Sequence, residues 1–377
     1  MAHGLCALGP LWKASVKMPI LSRRRFNEEE GAFVPGALLG KTYRLLKPLS
    51  RGGMGVLYLA SHERLPGNFV VKVLAPGHQS EEAIDRFRHE AVVMGTIRHP
   101  NVVQLMDFNV TNTGLPYLVM EFLPGENLAE IVTRHPLLPI ARVASIVRQV
   151  AYGLDAAHRV GVVHQDLKPS NIMIVPYEEE KDLVKVIDFG ISKKVRRRNP
   201  VREVALEGTP PFIAPEQIES GDVGTHSDQF ALAVTSYVLL TGRLPWRGTT
   251  AISILYSVVN RDPLPFNDTT LQSVEEVLQR GMAKAPEARF ASVVAFWQAL
   301  SRALTTDGLL SDAVCALGLM GQCATKSLVV GTMRPIRTKP LESRPLAVPM
   351  IARPMEEEET ISIAPSEPWN GRAAMSG

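Results

Sequence analysis

The sequence predicts an α+β fold in two lobes, a small β-rich lobe followed by a mainly helical one. Three observations predict it. Short runs of β-branched and aromatic residues, broken by glycine and asparagine turns, fill much of residues 43–122. Beyond Leu123 the apolar residues recur at helical spacing instead. Between His164 and Gly190, two short apolar strands carry Asp166, Asn171 and Asp188, the hard oxygen donors that suit Mg2+ and a phosphate together. The chain has 377 residues, 45% of them hydrophobic, which is enough for two lobes sharing a cleft, with tails.

The elements follow in order. Residues 1–42 read as a flexible arm, with Arg23–Arg25 preceding Glu28–Glu30 and little to bury. Residues 43–49 and 57–60 read as strands joined by Ser50-Arg51-Gly52-Gly53-Met54-Gly55-Val56. Glycines there let backbone lie over a ligand, because no Cβ obstructs it. Residues 69–73 read as a buried strand containing Lys72, and a lysine in such a place is costly unless paired. Ser80 is a good N-cap for the next helix, with Glu81 and Glu82 in its first turn. Ile84, Phe87, Ala91 and Met94 form its apolar stripe, and Glu90 lies close enough to that face to partner Lys72. Strands are expected at 101–108 and 115–122, with a turn at 112–114.

Helices are then expected at 128–133 and 140–158, the second ended by Gly161. Residues 228–240 are apolar nearly all round and should form the buried central helix of the second lobe. Helices near 251–260, 271–282 and 292–304 complete it. Residues 305–331 read as either a docking segment packed on the core or a loosely ordered one, and Asp312, Gln322 and Lys326 argue against a membrane span at 309–330. Residues 332–377, rich in proline, arginine and glutamate, read as a disordered tail.

The block His164-Gln165-Asp166-Leu167-Lys168-Pro169-Ser170-Asn171, followed by Asp188-Phe189-Gly190, resembles the H-R-D-L-x-x-x-N and D-F-G pair of eukaryotic-like (Hanks-type) protein Ser/Thr kinases, bacterial members included. The resemblance implies the two-lobed protein kinase fold over residues 43–304, with an N-lobe at 43–121 and a C-lobe at 124–304. It implies ATP and Mg2+ as cofactors and protein Ser/Thr hydroxyls as acceptors. By this likeness Asp166 orients the hydroxyl and takes its proton, Lys168 neutralises the γ-phosphate, and Asn171 and Asp188 bind Mg2+. Lys72 holds the α- and β-phosphates and pairs with Glu90.

The loop Ser50, Arg51, Gly52, Gly53, Met54, Gly55 covers the phosphates, with Ser50 at the family's first glycine. Leu57 roofs the base, with Val56 as the other candidate. Val70 stands where the family usually has alanine. Met120 is the gatekeeper, and the backbone of Glu121 and Leu123 meets the adenine edge. Val70, Leu123 and Met173 supply apolar surface, and Asn127 or Glu126 reaches the ribose. His164 and Phe189 are packing residues. Gly208 to Glu216 resembles the family segment ending in A-P-E, a peptide-binding platform, with Glu216 paired to Arg289; Thr209 and Lys168 resemble Ser/Thr-specific members. Asp228 ties the central helix to the catalytic loop.

Gln165 departs from the family's arginine, and no Ser, Thr or Tyr lies between Ser192 and Thr209. Activity is therefore expected not to depend on phosphorylation of the central activation loop. Basic residues at 193–202 form either a solvated segment or an attraction site for acidic substrates. A binding scaffold of the same fold is the competing class. Scaffolds typically lack one of the reactive set, whereas Lys72, Glu90, Asp166, Lys168, Asn171 and Asp188 are all present. A net charge of +3 is too small to argue for nucleic acid. The three cysteines, Cys6, Cys315 and Cys323, form no disulfide or metal framework in the core and fit a reducing cytosol. Oligomeric state is left open.

Overall fold

A computed structural model describes residues 33–51, 55–74, 80–111, 114–178, 181–189, 209–266 and 271–311. The N-lobe is built on six strands: β1 (Leu38–Leu39), β2 (Tyr43–Arg51), β3 (Gly55–His62), β4 (Asn68–Leu74), β5 (Leu105–Val110) and β6 (Pro116–Glu121). All pairs are antiparallel, in the spatial order β1-β2-β3-β4-β6-β5. Helix α1 (Glu81–Thr96) packs on this sheet. The Ser80 side chain caps it by accepting the Ala83 N–H at 3.3 Å, a contact worth about 1 kcal/mol.

Two stretches of this lobe differ from the sequence expectation. Residues 33–42, read as the end of a flexible arm, are folded onto the sheet. Leu39 is buried, and Phe33 and Ala37 pack beside Tyr43 and Tyr58. The β1–β2 connection puts Gly40 and Lys41 both at positive φ, 55° and 58°, and Thr42 N–H bonds Leu39 O at 3.0 Å. That is a tight turn with both central residues left-handed, inside a three-residue connection between the paired Leu39 and Tyr43. Its Gly-Lys sequence hides it, because a non-glycine residue rarely takes the second place. The other difference is 101–104, read as strand. Asn101 instead turns its amide onto Gln149 Oε1 and Val184 O, both at 2.8 Å, and Val102 bridges Val186. Pairing of β5 begins only at Leu105.

The C-lobe opens with β7 (Glu126–Asn127), which pairs with β8 (Ile172–Glu178), itself paired with β9 (Lys181–Val186). Its helices are α2 (Leu128–Arg134), α3 (Ile140–Arg159), α4 (Pro215–Glu219), α5 (Thr225–Thr241), α6 (Ala251–Asn260), α7 (Gln272–Gly281) and α8 (Val293–Thr306). Helix α5 buries residues on every side, Phe230, Leu232, Val234 and Tyr237 among them. It is the post around which α3, α7 and α8 pack, as an all-round apolar helix must be.

The lobe runs past residue 304. Leu309 and Leu310 both bond Leu304 O and pack on the core, so the start of the expected docking segment belongs to the domain. The rest of that segment, the tail at 332–377, residues 1–32 and the central activation loop lie outside the described residues. Among the described residues no helix is long and apolar enough to cross a membrane.

Candidate active site

The site forms where the last strand of the N-lobe meets the β8–β9 hairpin. Lys72 on β4 reaches Glu90 on α1, Nζ to Oε1 2.6 Å. Glu90 is 2% exposed, so the pair is held in a largely dry setting. Burial works against the Lys72 ammonium, but the Glu90 and Asp188 carboxylates outweigh it and hold its pKa above the ordinary lysine value. Lys72 is therefore a fixed positive charge facing the Asp188 side of the cleft.

The loop from His164 to Asn171 hangs from one carboxylate of α5. Asp228 Oδ2 accepts the His164 N–H at 2.8 Å, and Oδ1 accepts the Gln165 N–H at 2.9 Å. Its Oδ2 also lies 2.7 Å from His158 Nε2. His164 is fully buried, 3.0 Å from Ile187 O through Nε2 and 4.6 Å from the Phe189 ring. Burial lowers its pKa despite nearby Asp228 and Asp166, so the ring is neutral and packs, as does Phe189.

Asp166 and Lys168 are joined at 2.9 Å, Oδ2 to Nζ. Asn171 Nδ2 donates to Asp166 O at 2.9 Å. Asn171 O in turn accepts the Ile187 N–H at 3.0 Å, which fixes Asn171 beside the approach to Asp188. Among the described residues, three non-glycine residues have positive φ, and two of them stand here: Gln165 at 69° and Asp188 at 55°. Such backbone costs roughly 1–3 kcal/mol and persists where its surroundings impose it.

The base-sized end of the cleft is apolar. Leu57, Val70, Leu123 and Ile187 pack around Met94, Val103 and Met120. Met173 is half-buried on β8, opposite Asn127 and Lys185. Alternation along β3 separates the two roof candidates. Leu57 faces this cluster, whereas Val56, 3% exposed, points into the outer core with Leu45 and Tyr58. Val56 is therefore removed from the binding set.

Ser50 and Arg51 pair with Leu57 and Val56 across the β2–β3 hairpin. Gly52, Gly53 and Met54 lie outside the described residues. Gly55 has a requirement of its own, since a Cβ there would sit 2.5 Å from Val73 O. The N–H of Glu121 is used by Gln104 O at 3.1 Å, so a base edge would meet its carbonyl. Asn127 Oδ1 caps α2 by accepting Glu130 N–H at 2.9 Å, and Glu126 pairs with Arg134. Both ribose candidates thus have structural duties. The Asn127-x-x-Glu130 spacing, a capping pattern, carried that signal.

Two further features were not anticipated. Lys185 on β9 is 8% exposed and binds Glu121 Oε1 at 2.6 Å, while the same oxygen accepts the Gln104 N–H at 2.7 Å. This pair straps the segment between the lobes to the strand that leads to Asp188. A lysine between Val184 and Val186 was the available signal, by the reasoning that singles out Lys72. Ile187 also joins the apolar pocket. Away from the cleft, Arg289 and Glu216 meet twice, each contact 2.8 Å.

The residues present fit a nucleotide and a divalent ion. An apolar slot, a fixed ammonium and two oxygen-bearing side chains converge on one cleft. Among the described residues no cluster of three or more His, Cys, Asp or Glu side chains could cage a metal. Asn171 and Asp188 would offer such an ion two oxygen donors and leave room for further oxygen ligands, which suits Mg2+.

A family model for the protein kinase domain matches residues 43–300. The chain is 39% identical over 268 residues to serine/threonine-protein kinase Pkn1 of Myxococcus xanthus, covering 70% of this chain and 38% of that protein. It is 32% identical over 262 residues to PknA of Mycobacterium tuberculosis, covering 68% and 60%. The match thus spans less than two thirds of either relative. Among solved structures, the kinase domain of M. tuberculosis PknI is 26% identical with a TM-score of 0.57, covering 73% of this chain and all of that one. The chain belongs to the protein kinase family, in the Hanks-type branch of bacterial Ser/Thr kinases.

Proposed function

We propose that this chain is an ATP- and Mg2+-dependent protein Ser/Thr kinase. The observation that carries the reading is the complete reactive set in one cleft: the Lys72–Glu90 pair, the Asp166–Lys168 pair, Asn171 and Asp188. When bound, ATP supplies the transferable γ-phosphoryl group and Mg2+ offsets its charge. Lys72 holds the phosphates, oriented by Glu90. Asp166 orients a substrate Ser or Thr hydroxyl and accepts its proton at the carboxylate. Lys168, 2.9 Å from Asp166, supplies positive charge beside the transferring group. Asn171 and Asp188 hold the ion. Leu57, Val70, Met120, Leu123 and Ile187 exclude water around the base, and Val70 makes that slot narrower than an alanine would.

Two finer statements belong to the same proposal. The joint between the catalytic loop and α4 is neutral: Gln217 Nε2 of α4 donates to the Gln165 backbone O at 3.3 Å. Glutamine at 165 offers no guanidinium to a phosphate. This supports activity without phosphorylation of the central activation loop. Cysteine usage supports a cytosolic location.

The test is transfer of labelled γ-phosphate from ATP, wild type against Asp166→Asn. Incorporation into Ser or Thr that is lost in the variant, with an ATP-dependent thermal shift kept in both, supports the reading. ATP binding without transfer, to the chain itself or to casein, overturns it in favour of a scaffold. A stimulating phosphate mapped to Ser192 or Thr209, with activity lost on mutation to alanine, ends the loop-independence statement.

A further inference from the structure

The segment that should face a protein substrate is held from beneath by a row of cations and rings. Pro210–Phe212 forms a 3-10 turn leading to α4. Trp246, 5% exposed, donates its Nε1–H to Pro211 O at 3.1 Å. Its ring lies parallel to Phe230 of α5, with centroids 6.2 Å apart. Lys284 Nζ stands 4.1 Å from the Trp246 centroid and donates to Val258 O of α6 at 2.6 Å. At the other end of the row the Arg289 guanidinium stands 5.0 Å from the Phe230 centroid and bonds Glu216. Arg289 Nη2 also donates to Lys284 O at 3.2 Å. The row therefore grips the segment at Pro211 and again at Glu216.

We propose that Lys284 is a positioning residue for the protein substrate, its ammonium holding Trp246 and the end of α6 in the register that supports the Pro210–Ala214 segment. This rests on the kinase reading. Lys284 is also the one member of the row that can change charge in the working range. Burial lowers its pKa to about 8, opposed by Asp262 beyond α6 and assisted by Arg289. Glu216, the remaining charge in the row, is engaged by Arg289. As pH rises through that value the amine keeps its hydrogen bond to Val258 O but loses its cationic attraction to the indole. Support for the segment is thus present below about pH 8 and fades above it. Arginine keeps its charge throughout and stacks well on aromatic rings.

The experiment compares the full chain with Lys284→Arg and Lys284→Met, using casein as acceptor from pH 7 to pH 9. The ratio of kcat/KM for casein, Lys284→Arg over wild type, should rise by roughly three- to tenfold across that range. The ratio of KM values for ATP should stay flat. Lys284→Met should resemble wild type at high pH throughout. Parallel wild-type and Lys284→Arg profiles, or an equal change in the ATP ratio, overturn the inference.

A second readout separates this from the kinase reading. The Trp246 indole resonance, assigned with Trp246→Phe, should move with pH near 8 in wild type and stay still in Lys284→Arg. If casein is never phosphorylated, the kinase reading fails, and the resonance alone decides whether Lys284 governs Trp246. A resonance that does not titrate refutes the inference.

Discussion

Replacing Arg289 by methionine should strongly destabilise the C-lobe. The Arg289 side chain is fully buried, and all five of its N–H groups are used. Nε donates to Ala283 O at 2.8 Å, Nη1 to Glu216 Oε1 and His226 O at 2.8 Å each, and Nη2 to Glu216 Oε2 at 2.8 Å and Lys284 O at 3.2 Å. Methionine fills similar volume but leaves three carbonyls and a carboxylate. Glu216 would keep the Ser227 hydroxyl at 2.9 Å as its side-chain partner. Breaking a buried pair in this way costs about 3–5 kcal/mol. At roughly 2–4 °C per kcal/mol, the melting temperature should fall by about 6–20 °C at pH 7.

The sign of the pH dependence is a second check. Burial alone would raise the Glu216 pKa, yet Arg289 overrides it and holds the carboxyl below its ordinary 4.5. A depressed folded pKa contributes stability that is present above the unfolded value and lost as pH falls through the folded one. In the variant burial is opposed only by the Ser227 hydroxyl and a backbone hydrogen bond, so the carboxyl titrates higher than in wild type and becomes easier to accommodate once protonated. The gap between wild type and variant should therefore narrow as pH is lowered from 7 toward the carboxylate range. Calorimetry at several pH values measures both effects, and Glu216→Leu/Arg289→Met should recover most of the loss. A fall of less than about 3 °C at pH 7, or a gap independent of pH, would refute the reasoning.

Three further outcomes are expected. Gly125→Ala places a Cβ 2.1 Å from Ile174 O and 3.0 Å from Val175 Cα; because both are backbone, the cost should reach about 1–3 kcal/mol by urea denaturation, with a raised KM for ATP. Lys185→Met leaves Glu121, 27% exposed, without its ammonium; about 1–3 kcal/mol should be lost, and a change under about 0.5 kcal/mol would show that the strap is not structural. Asp228→Asn must turn an amide N–H toward His164 N–H, Gln165 N–H or His158; kcat should drop by about tenfold or more while the ATP-induced thermal shift survives.

The candidate reactive set was legible mainly through the resemblance of His164–Asn171 and Asp188–Gly190 to the family's paired motifs, and Lys72 also stood out as a lysine among β-branched residues. The helices of the C-lobe were legible from their 3.6-residue periodicity, and α6 matches its expected bounds. What escaped depends on partners distant in sequence. Asn101 reads as a strand residue until Gln149 and Val184 are seen to claim its amide. Leu38–Leu39 is too short to show alternation, and its turn places Lys41 in a left-handed conformation. Val56 and Leu57 could be separated only once the sheet fixed which face was inward. Glu121 was read for its backbone, so its side-chain pairing with Lys185, 64 residues away, was missed.

The two amide hydrogens that Asp228 accepts have a consequence for how the loop breathes. They are anchored not to a neighbouring strand but to a 1% exposed carboxylate on a helix buried on every side. Exchange of the His164 and Gln165 amides with solvent deuterium therefore requires α5 itself to open. Their protection should match that of the α5 interior, close to the global unfolding limit, rather than the faster exchange usual for loops. The catalytic loop would then have no private route to disorder, and heat would silence it only by melting the lobe.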